Sequence, residues 1–170
     1  MRTRLFTLLA LIFLSTGTLQ AQKAKITDPI DLNDYYVGIT DSLYQLGQQW
    51  GTVFNQAYKN KDFNSLIKQN KMMLSFVERK QKEVMNQKDF AGSENLRLAL
   101  LDFLSYEKRL INEAFLPFEK LKTTATEEQI QAALDKLVDV AKLEKEELMK
   151  VETAQREFAR RNNFTIEGAE

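Results

Sequence analysis

The sequence predicts an all-α fold, an antiparallel up-down-up-down four-helix bundle behind a cleaved N-terminal signal peptide. Three observations carry that expectation. Apolar residues recur at helical spacing over four long stretches. The 170 residues include only 2 Pro and 6 Gly, so little interrupts a helix. Short links join the stretches, which favours consecutive helices running in opposite directions. Apolar residues make up 44% of the chain, enough for one domain with a core and too many for wholesale disorder. The expected division is a signal peptide over 1–21, a leader coil over 22–31, the bundle over 32–161 and a tail over 162–170.

MRTRLFTLLALIFLSTGTLQA has the build of a secretory signal. Arg2 and Arg4 give a positive start, Leu5 to Leu14 an apolar run broken only by Thr7, and a polar stretch ends at Ala21. The cut falls at Ala21|Gln22, although Leu19 is large for the position three before it. An uncleaved anchor is the alternative, but the run is short for a span of about 20 residues. Cleavage would remove two Arg and no acid, taking the net charge from zero to about −2. The expected location is the periplasm or the cell exterior. With no Cys in the chain, a thioether-linked lipoprotein is not expected.

Helix 1 is expected over about 32–59, capped by Asp31 or Asn33, with the heptad seam Tyr36, Ile39, Leu43, Leu46, Trp50, Val53 and Ala57. Asn60 and Lys61 form a tight link. Asp62 caps helix 2, about 62–87, whose stripe is Phe63, Leu66, Ile67, Met73, Leu74, Val77 and Val84. The loop 88–95 turns at Gly92, and Ser93 caps helix 3, about 94–116, which Pro117 ends or kinks. Thr126 and Gln129 form a capping box for helix 4, about 127–161, with Ile130, Leu134, Leu137, Ala141, Leu148, Val151 and Phe158 inward. Phe164 and Ile166 offer a lock for the tail.

Zero net charge gives no reason to expect nucleic acid. No His and no Cys occur, which removes imidazole bases, thiolate nucleophiles, disulfides and Cys/His metal sites. No cofactor is expected.

Polar residues interrupt the stripes. Glu107 stands among Phe103, Leu104, Leu110 and Ile111, where a lone carboxylate is costly unless protonated or paired. Glu144 takes a seam position between Ala141 and Leu148, and Asn70 lies between Ile67 and Met73. They read as a buried polar layer that fixes register or, more sharply, as a ligand or cation site between helices. Gly47 and Gly51 flank Trp50, each costing about 1 kcal/mol relative to Ala inside a helix. Their expected compensation is a close crossing or a facing aromatic ring, and otherwise a small cleft beside the indole.

NDYYVGITD, FAGSENLRLALLDFLSYEKRLINEAF and AQREFARRNNFTI, with Phe90, Leu96, Tyr106 and Phe158, resemble a family of uncharacterised small exported or surface helical-bundle proteins of bacteria. The resemblance spans most of 32–166 and implies a helical bundle in the envelope. It implies no activity and no site residue. Some of the family look lipid-anchored, and this chain departs from them in having no Cys.

The expected function is a non-catalytic binding or interaction module of the cell envelope. Its partner would be an envelope protein or a small ligand, with no membrane span after signal cleavage and with an oligomer left open. The alternative is a periplasmic small-molecule or cation carrier with an inter-helix ligand site near Trp50, Asn70, Glu107 and Glu144.

Overall fold

A computed structural model describes residues 26–166. The signal peptide expected over 1–21 lies outside them. The first helix opens on Asp28 and Pro29. Proline's fixed φ and missing N–H suit the first helical position. Asp28 Oδ1 accepts the Asp31 N–H at 2.9 Å, and Thr27 donates its N–H and hydroxyl to Asp31 Oδ2 at 3.0 and 2.7 Å. Helix α1 (Pro29–Asn60) therefore starts three residues before the expected 32. Asp31 sits in its first turn rather than capping it, and residues 29–31 of the expected leader coil are helical.

Lys61, in the left-handed region at φ 51°, ends α1. Asp62 then caps a 3-10 turn, Phe63–Ser65, which feeds α2 (Leu66–Met85). Ser93 stands at the N-cap position of α3 (Glu94–Leu110), as expected, but its side chain makes no capping hydrogen bond. Its hydroxyl instead accepts the Phe90 N–H at 3.0 Å and closes the loop, where Ala91 and Gly92 both have positive φ. Arg97 pins the same loop through a two-pronged pair to Asp89 at 2.7 and 2.9 Å.

Helix α3 continues through a π-turn, Ile111–Phe115, into α4 (Leu116–Glu119). Pro117 has no N–H for the Glu113 carbonyl, and its ring would strike that carbonyl in a regular turn. The widened turn relieves both faults. The Thr126–Gln129 capping box forms as expected and starts α5 (Glu127–Ala141). The single helix expected over 127–161 is interrupted at Lys142–Leu143, and α6 (Glu144–Arg161) follows. No Pro or Gly causes the break. The Val140 carbonyl accepts the Tyr106 hydroxyl at 2.9 Å rather than the Glu144 N–H, so a partner on α3 opens the ladder.

The fold is all-α with four helices, counting α3–α4 and α5–α6 as one bent rod each, and no strand occurs among the described residues. Helix α1 packs on α2, α2 on α3, and α3 on α6, while α5 lies against the π-turn. Tyr35 near the start of α1 donates to Glu83 near the end of α2 at 2.7 Å. The Lys108–Glu78 pair at 2.8 Å joins α3 to α2. Helix α3 is central, with Leu100 and Leu104 wholly enclosed, as is Ile111 at the start of the π-turn. Phe164 meets the Phe158 ring edge-on at 6.0 Å and holds the described part of the tail.

The stripes are wider than a strict seam. Leu32 and Phe54 are buried although the heptad reading omitted them, and Ile67, placed on the inner stripe, is 47% exposed. The glycines of α1 differ from expectation more plainly. A Cβ at Gly38, Gly47 or Gly51 would meet nothing within 4 Å, so neither a close crossing nor a facing ring requires them. Gly51→Ala should then raise stability by about 0.5–1 kcal/mol, a rise of a few degrees in Tm by calorimetry. A lower Tm would mean that the position does need glycine.

Candidate functional site

The four side chains singled out from the sequence lie in two places. The first joins α1, α2 and the π-turn. Asn70 is wholly enclosed, and its Oδ1 accepts the Trp50 Nε1–H at 2.7 Å. Its Nδ2 donates to Glu119 Oε1 at 2.6 Å and reaches the Phe115 carbonyl at 3.4 Å. Phe115 stacks on the indole with ring centres 4.1 Å apart, Phe54 stacks at 4.9 Å, and Phe118 meets it edge-on at 6.1 Å. Aromatic rings therefore occupy the space beside the indole where a cleft was the alternative expectation. The cluster is a hydrogen-bonded plug in an aromatic core, and Glu119 is a member that the stripe pattern did not single out.

The second place joins α3 to the start of α6. Glu107 is 5% exposed, and its carboxyl accepts no hydrogen bond among the described residues. Burial, and after it the charge of Glu144, pushes its carboxyl up to about 8. Burial also raises Glu144, which is half-buried at the first position of α6. The two acids converge closely enough to feel each other, and Glu107 holds a proton at neutral pH. Burial, and then the charges of Glu144 and Glu107, push the Tyr106 hydroxyl up, and that hydroxyl is spent on Val140.

The two places are separate. Phe115, which touches Asn70, lies eight residues beyond Glu107, on the order of 10 Å of helix rise. One site drawing on all four residues does not form. Among the described residues, no three acidic side chains gather at cation distance.

A third place was not singled out from the sequence. An open depression of about 570 Å³ runs along α1 and α2, floored by Leu46, Met72 and Phe76 and rimmed by Lys68, Lys71 and Arg79. None of the three cations forms an ion pair among the described residues. Arg79 lies over the Phe76 ring at 5.5 Å, and Glu83, one turn after it, is held by Lys80 and Tyr35. The sequence carries only half of this signal, the recurrence of basic residues on one helical face; the engagement of the neighbouring acids Glu78 and Glu83 elsewhere comes from the structure. A second depression of about 430 Å³ on the outer face of α6 differs, because its Arg156 is answered by Glu152 at 3.5 Å. Neither depression is lined by Trp50, Asn70, Glu107 or Glu144.

No protein-family model, no curated protein and no solved structure matches this chain. Among the described residues, no helix is long and apolar enough to cross a membrane.

Proposed function

We propose that the protein is an exported binding or interaction module of the bacterial cell envelope, built as an antiparallel up-down-up-down bundle and performing no catalysis. One observation carries the reading: the α1–α2 depression combines an apolar floor with three cations that form no ion pair among the described residues. Exposed charges without partners are common singly. Three around exposed Met72 on one helix face make a surface suited to a partner bearing apolar and acidic groups. The N-terminal pattern of Arg2, Arg4 and the run from Leu5 supports export, and the lack of His and Cys supports a non-catalytic role. The Tyr35–Glu83 and Asn70–Glu119 contacts support the alternation of helix direction. The carrier reading has less support, because Trp50 and Asn70 are filled by the fold's own groups.

A photoreactive residue at Ser75, in the depression, tests this in the host's envelope, with the same residue at Thr153 on α6 as the control. A discrete adduct from Ser75 and none from Thr153 is the expected result. Adducts from both, or from neither, overturn the reading. The intact mass of the chain from the same preparation should match a start at Gln22, and a chain retaining Met1 would overturn the cleaved signal peptide.

A further inference from the structure

We propose that the α1–α2 depression of one copy receives the outer face of α5 from a second copy. The proposal rests on the binding-module reading and names its partner. The outer face of α5 carries Glu128, Asp135 and Asp139, all exposed. Glu128 and Asp135 form no ion pair among the described residues, and Asp135 accepts only the Gln131 side chain at 2.8 Å. Asp139 is held by Lys142 at 2.7 Å in a pair more than half exposed on both sides, a contact weak enough to exchange.

The spacing of the two charge rows matches. Lys68 and Arg79 are eleven residues apart on α2, about 16 Å at helical rise, with Lys71 three residues in from one end. Asp139 and Glu128 are also eleven residues apart on α5, with Asp135 four residues in. Laid in opposite directions, Asp139 meets Lys68, Asp135 meets Lys71 and Glu128 meets Arg79. In that register Val138 falls opposite Gln69 and Met72 opposite Asp135, so the two apolar groups flank the Asp135–Lys71 pair, about 4.5 Å apart along the axis. Val138 on α5 is 39% exposed and Met72 on α2 is 38% exposed, and the contact would cover both. Both faces are exposed among the described residues, and the match of their charge rows makes a second copy the partner that fits. The two faces differ, so the association is head-to-tail and closes as a ring or extends as a chain.

Sedimentation of the protein, prepared as its host makes it, tests this over about 1 to 500 μM. Wild type should associate at about 50 mM salt and weaken by about tenfold or more at about 500 mM. A groove variant, Lys71→Glu with Arg79→Glu, should lose association by about tenfold or more. A face variant, Glu128→Lys with Asp135→Lys, should do the same. All four positions are exposed, and unchanged helical circular dichroism would show that the folds are intact. An equimolar mixture of the two variants should regain association, because each then offers the surface that the other lacks. A wild type that stays monomeric throughout overturns the proposal, as does association indifferent to both reversals or a mixture that fails to recover. If wild type is monomeric and Ser75 joins a different protein, self-docking is wrong while the binding-module reading stands.

Discussion

Replacing Asn70 with Ala should cost about 3–4 kcal/mol and lower Tm by roughly 10 °C. The side chain is wholly enclosed and has three partners, so its loss strands the Trp50 indole N–H at 2.7 Å and opens a void among the rings. Its amide can face only one way. The indole can only donate, so Oδ1 must meet it, and the Glu119 carboxylate accepts, so Nδ2 must meet that. A void can be separated from a lost hydrogen bond. Asn70→Asp keeps the size and the acceptor for Trp50 but sets a second carboxylate against Glu119. It should destabilise strongly above the carboxylate range, and adding Glu119→Gln should recover most of the loss by restoring a donor. Trp50 is the only tryptophan, so its emission reads this cluster directly. Equal losses in Asn70→Asp with and without Glu119→Gln would show that Glu119 is not a working partner.

Helix existence was legible because periodicity and the scarcity of breakers act locally. The departures have tertiary causes. The break at Lys142–Leu143 follows from a tyrosine 34 residues away in sequence taking the Val140 carbonyl, and no local pattern announces that. The start of α1 is a local signal, because Asp28 caps the helix and Pro29 suits its first position. For the candidate site, periodicity rightly marked Asn70 and Glu107 as polar groups in apolar stripes, since burial follows from stripe position. Which stripes face one another depends on axial register, and register separates Asn70 from Glu107 and gives each a different neighbour. The basic row on α2 went unnoticed because it lies on the outer face. A charge there looks like ordinary solvation until its neighbours' own partners are known.

Glu107 should make the fold less stable as pH rises, against the usual direction for a carboxylate. Its pKa in the folded state, about 8, stands above the ordinary value of 4.5, so the folded chain holds this proton more tightly than the unfolded chain does. The resulting stabilisation is fully present below about 4.5 and is lost as pH climbs to about 8. At about 1.4 kcal/mol per unit, the loss across that window is on the order of a few kcal/mol. Carboxylates held by cations act in the opposite sense but in a different range. Asp89, lowered by its hydrogen bonds from Arg97, loses its contribution only as pH falls through more acidic values. Wild-type Tm should therefore fall between pH 5 and 8. Glu107→Gln, which mimics the protonated acid, should remove most of that slope and leave the protein more stable at pH 8 and little changed near pH 5. Glu144→Gln should remove a smaller part, and the two substitutions should not add, because part of the upward push on Glu107 is the Glu144 charge. A wild-type Tm level across the window would mean that Glu107 is ionised in the fold with an answering cation. The surroundings argue otherwise: burial and the Glu144 charge act on Glu107 and no cation offsets them, which leaves protonation as the means by which this acid stays inside the bundle.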